Sequence, residues 1–88
     1  MDYALIVFNS VSASNRAKRI AKKAVSYAAV VQLPSDLGIR GCSYALRIKR
    51  SDYDTIKSLM GEYGLEIKSE FLEKNTDSGK MYEQYDIS

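Results

Sequence analysis

The period of apolar and polar positions changes several times along the chain, and each change marks an element. "DYALIVFN", residues 2–9, is rich in β-branched and aromatic residues and apolar on both alternating sides, the pattern of a central strand. The serine-rich "NSVSASN" ends it and offers helix N-caps at Ser12 or Ser14. Ala13, Ala17, Ile20, Ala21, Ala24 and Val25 then recur at helical spacing, with Arg16, Arg19, Lys22 and Lys23 on the other side. "AAVVQL", 28–33, reads as a second strand, closed by Pro34 and "SDLG". "CSYALRIK", 42–49, is a third, with Tyr44, Leu46 and Ile48 on one side. Ser51, with Asp54 three residues on, resembles a capping box ahead of a second helix with the stripe Ile56, Leu59, Met60 and Tyr63. Gly64 is its stop. "LEIKSEFLEK" alternates as a fourth strand with Leu65, Ile67 and Phe71 on one side, and "NTDSG" turns the chain into "KMYEQYDI".

The order is β-α-β-β-α-β with a possible extra C-terminal strand. It predicts an α+β, ferredoxin-like plan: an antiparallel sheet with strands one and three central and two helices on one face. Eighty-eight residues allow one domain with one modest core, spanning about residues 2–73, and leave 74–88 as a turn plus a strand or tail. Because the first strand is apolar on both sides, either Ala4, Ile6 and Phe8 or Tyr3, Leu5 and Val7 must look away from the helices. An apolar face of that kind predicts a homodimer or a cover supplied by residues 75–88.

Charge narrows the partners. Thirteen Lys and Arg against eleven Asp and Glu leave +2, which demands neither nucleic acid nor an anionic membrane. "YALIVF" is far too short to cross a bilayer and has no basic leader or cleavage site, so the expected location is the cytoplasm. The basic run "RAKRIAKK" reads first as a solvated face and second as a dock for an acidic partner. Tyr63, Tyr82 and Tyr85 read as packing residues.

The single cysteine and the absence of histidine exclude an internal disulfide, a zinc site of the usual spacing, a Cys-His dyad and a CxxC pair. No metal or cofactor is implied, and a stand-alone catalyst is disfavoured. What remains is Cys42 itself. In the predicted plan the start of strand three lies beside the end of strand one, which brings Cys42 close to Asn9, Ser10, Ser12 and the N-terminus of the first helix. Unpaired amides and the helix dipole there favour a thiolate. Arg40, Gly41 and Ser43 flank the thiol, and Arg40 adds positive potential; Arg47 falls on the opposite face if the strand alternates regularly. The alternative is that Cys42 packs as a small apolar residue in a regulatory or protein-interaction module of the same fold. An RNA-recognition reading of "RGCSYALRI" fits at Arg40, Gly41 and Tyr44 but fails at the stacking positions. Cys42 and Arg47 stand where aromatic rings belong on strand three, and Ile6 where the first strand would supply one.

"YALIVFNSVSAS", "LPSDL", "GCSYALRI" and "SDYDTIKSLMGEYG" together resemble a family of small bacterial and archaeal domains known as selenium/sulfur carrier-like proteins, over about residues 3–71. Cys42 followed one residue on by "YALR" is the most specific part. The family commonly has Cys-Gly where this chain has Cys42-Ser43, and a basic residue after the proline where this chain has Ser35 and Asp36. The resemblance implies a carrier that holds sulfur or selenium on Cys42 as a persulfide or selenosulfide, with donor and acceptor proteins as its partners. Such a carrier needs one accessible thiolate and no resolving cysteine.

Overall fold

The computed structural model describes residues 2–33, 44–77 and 79–84. Strand β1 (Tyr3–Phe8) is followed by helix α1 (Val11–Ala21), strands β2 (Ala28–Gln32) and β3 (Tyr44–Lys49), helix α2 (Tyr53–Glu62), and strands β4 (Ile67–Thr76) and β5 (Gly79–Gln84). The strands form one antiparallel sheet in the order β2-β3-β1-β4-β5. This is the ferredoxin-like order, with β1 and β3 inside and the extra C-terminal strand added at the β4 edge. Both helices cover one face. Ala4, Ile6, Phe8, Leu46 and Ile48 from the sheet pack with Ala17, Ile20 and Ala21 of α1 and Tyr53, Ile56 and Met60 of α2.

The opposite face is also apolar near its centre. Leu5, Val7, Leu33, Ala45 and Phe71 form a second cluster, with Val31 and Tyr82 against it. It is therefore Tyr3, Leu5 and Val7 that look away from the helices. Leu5 is 1% exposed and Val7 0% within a single chain, so these two side chains are covered without a second copy. Tyr82 of β5 contributes packing, in keeping with a C-terminal cover, while Tyr85 and the rest of 85–88 lie outside the described residues.

Local structure departs from the expected boundaries for identifiable reasons. The cap of α1 is Ser10, not Ser12 or Ser14: its backbone is extended, and the Ala13 N–H donates to its Oγ at 3.1 Å. Ser14, facing the core, instead donates its hydroxyl to the Ser10 carbonyl at 3.2 Å. The helix also stops sooner, since the N–H groups of Ala24 and Val25 both turn back to the Ala21 carbonyl. Ser51 forms no capping box, because a 3₁₀ turn at Arg50–Asp52 precedes α2 and the helix begins at Tyr53 without a side-chain cap. Tyr53, absent from the predicted stripe, is fully buried, whereas Tyr63 is 44% exposed at the C-cap. Gly64 does stop the helix, at φ 71°: its N–H reaches the Gly61 carbonyl at 3.2 Å, and Leu65 N–H reaches Met60 at 2.9 Å, a Schellman motif.

A β-bulge corrects the reading of β4. Val7 pairs with Ser69 but Phe8 with Ile67, so one extra residue is inserted between them. Ile67 consequently packs with the helix-side core and Phe71 with the other cluster, although strict alternation would put both on one side.

Candidate functional site

Antiparallel pairing sets the sheet end that interests us. Val7 lies opposite Ala45 and Gln32 opposite Tyr44, so the described start of β3 stands beside the end of β1, as the predicted plan required. The same end carries Asn9, Ser10 and the first turn of α1. Asn9 and Ser12 are exposed, as is Ser10, but the Ser10 hydroxyl is engaged as the helix cap and its carbonyl receives Ser14. Ser10 thus caps α1 at this sheet end. The first turn of α1 contains no acidic side chain to occupy its free amides. Two apolar side chains are exposed nearby in the chain, Val11 at the helix start and Tyr44 at the strand start. The predicted thiol, Cys42, and its neighbours Arg40, Gly41 and Ser43 lie outside the described residues.

A second constellation, on the face away from the helices, was not anticipated as a unit. Arg47 projects from β3 opposite Leu5, and its Nη2 donates to Glu73 Oε2 at 2.6 Å while Nη1 donates to Tyr27 Oη at 2.9 Å. The guanidinium carbon stands 3.6 Å from the centre of the Tyr3 ring, and Tyr3 and Tyr27 meet edge to face at 5.7 Å. Glu73 is 3% exposed, a burial that a carboxylate tolerates only with a partner of this kind. Burial alone pulls the Arg47 pKa down, but the hydrogen bonds to Glu73 and Tyr27 and their charges outweigh it and carry it above its ordinary value. Arg47 is therefore a fixed cation, neutralised in place. It supplies no titrating group near neutral pH. Val31, Gln32, Arg47, Glu73 and Tyr82 line a shallow cleft of about 160 Å³ beside it.

Alternation did put Arg47 on this face. The missing information was which residues of β4 share it, since that depends on the bulge at Ser69–Ile67. The available signal was the charge of Arg47 inside the otherwise apolar run "YALRI".

On the helix-covered face, β4 supplies another partly buried carboxylate. Glu70, opposite Ile6, lies 3.8 Å from Lys57 of α2, and its Oε2 is buried with no hydrogen bond among the described residues. Desolvation raises its pKa.

A family model described as "Putative Se/S carrier protein-like" matches residues 2–71. The chain belongs to this family. No curated protein and no solved structure gives a match. The matched range runs from the start of β1 to Phe71 within β4 and includes Cys42 and every residue predicted to support it. Glu73 and β5 fall beyond it, so the carboxylate that pairs with Arg47 comes from a part of the chain that the family pattern does not cover. Among the described residues no helix is long and apolar enough to cross a membrane.

Proposed function

We propose that this protein carries sulfur or selenium on Cys42 and passes it to an acceptor protein. The observation that carries the reading is the family match over residues 2–71, within which Cys42 is the sole cysteine of the chain. The chemistry is balanced without a cofactor. The Cys42 thiolate attacks the terminal sulfur of a donor persulfide, forming Cys42–S–SH as the donor's S–S bond breaks and the electron pair leaves with the donor thiolate. A nucleophile of the acceptor then attacks the same outer sulfur, and Cys42 leaves as thiolate. A selenosulfide follows the same steps. A neighbouring thiol would attack the inner sulfur and expel sulfide, and a chain with one cysteine has no such thiol of its own.

Support from the fold is indirect and consistent. The sheet end at which β3 begins also carries the α1 N-terminus with no acidic residue in its first turn, a setting that favours a thiolate. Asn9, Ser10, Ser12, Arg40, Gly41 and Ser43 are the supporting residues in this reading, and the partners are a donor and an acceptor in the cytoplasm. Mass spectrometry of protein isolated without reductant, and again after incubation with a persulfide donor, is expected to show added sulfur or selenium on Cys42, abolished in Cys42→Ser. Alkylation rates against pH should give a midpoint below the free-cysteine value of about 8.5. No loading, with protection of the thiol until the protein unfolds, would return Cys42 to a packing role in an interaction module.

A further inference from the structure

The helical layer is electrically divided. Residues 11–23 contain Arg16, Lys18, Arg19, Lys22 and Lys23 and no acid, whereas the chain as a whole carries only +2. Ser14, Ala17, Ile20 and Ala21 face the core, so Ser12, Arg16 and Arg19 form the outward stripe of α1, and Lys22 and Lys23 extend it past the last turn; all five are exposed. None of the five cations makes an ion pair among the described residues. The adjoining helix α2 differs: it carries Asp54 in its first turn and exposes Asp54 and Glu62. An isolated helix gains from acids near its start and opposite charges four residues apart, and loses from like charges at that spacing. α1 has forgone those gains. Lys18 and Arg19 in its last turn suit the helix dipole, but the outward row of cations has no counter-charge among the described residues, and that is what a partner can supply.

We propose that the outward face of α1 docks an acidic face of a partner protein, with Val11 and Tyr44 as apolar contacts at its N-terminal end. The partner is the donor or acceptor insofar as this rests on the carrier reading. Electrostatic complementarity of this kind speeds encounter and fixes orientation. The occupant is a protein rather than a nucleic acid for two reasons. The proposed surface offers a single exposed ring among the described residues, Tyr44, where stacking of successive bases needs a row of them, and the Tyr3 ring lies against Arg47. A bounded acidic patch also fits beside Asp54 and Glu62, which repel a long polyanion laid across both helices.

The test is fluorescence anisotropy with a labelled 15-residue polyglutamate peptide, a 15-nucleotide single-stranded RNA, and phosphatidylserine vesicles as the three probes. The full chain should bind the peptide at low salt, more weakly as salt rises. Arg16→Glu/Arg19→Glu should lose at least tenfold, and Arg50→Glu/Lys68→Glu, with the same change in net charge away from α1, should lose much less. Equal loss in both pairs, no binding to the peptide, or tighter binding to RNA or vesicles would each overturn the proposal. Circular dichroism of both variants guards against misfolding, with Arg16→Gln/Arg19→Gln as a milder pair expected to show an intermediate loss. Cys42→Ser should bind like the parent, so failure of sulfur loading and failure of docking are read separately.

Discussion

Glu70 and Glu73 stand three residues apart on β4, yet they answer burial differently because they lie on opposite faces of the sheet. On the helix-covered face Glu70 has, among the described residues, only Lys57 at 3.8 Å, and its carboxyl is pushed up by desolvation. On the other face Glu73 is held at 2.6 Å by Arg47, which is itself stacked on Tyr3 and bonded to Tyr27. The helix layer seals its side with apolar side chains and merely tolerates a charge at the margin. The other face, without helices, sets beside its apolar centre of Leu5, Val7, Ala45 and Phe71 an ion pair and hydrogen bond on Arg47, whose Nε is buried with no hydrogen bond among the described residues. A buried charge on a sheet is thus acceptable where the neighbouring strand supplies a counter-charge at hydrogen-bonding distance, and costly where it does not.

The sharpest test of that comparison is to cut each apolar centre. Ile6→Ala on the helix side and Leu5→Ala on the other should each cost about 2–5 kcal/mol by urea denaturation, since both side chains are fully buried. A loss below ~1 kcal/mol for Leu5→Ala alone would mean that the second face is open in solution.

Next in size, Glu73→Gln should cost about 2 kcal/mol, below the ~3–5 of a completely buried pair because Arg47 keeps some exposure. Arg47→Met/Glu73→Leu should recover most of that loss. A double-mutant cycle with no coupling between the two positions would show the ion pair to be incidental.

The smallest effect concerns Glu70. Its folded pKa lies above the ordinary value, so its ionisation opposes folding above the folded pKa, and that cost disappears below the ordinary pKa of 4.5. Glu70→Gln should therefore stabilise the protein at neutral pH by about 0.5 kcal/mol, a gain that shrinks as pH falls toward the ordinary glutamate range. A constant difference across that window would show that ionisation of Glu70 is not its source.

Much of the architecture was legible in the chain. The two-sided apolar "YALIVF" marked the central strand, and helical spacing found Ala17, Ile20, Ile56 and Met60, all of them buried. Gly64 marked the helix stop by the positive φ it adopts. These are signals of period and of local backbone chemistry, carried by residues near one another in sequence. The sole cysteine, the absence of histidine and the acid-free stretch around "RAKRIAKK" are likewise properties of the chain alone, and they bound the chemistry before any fold is drawn. The tertiary structure decided what depends on register. It chose Ser10 among several serines as the cap, because the end of buried β1 sets where α1 can begin. It sent Ile67 and Phe71 to different faces through one inserted residue. It also joined Arg47 to Glu73, twenty-six positions away. A period of two says that a side chain alternates, but only strand pairing says what it alternates toward.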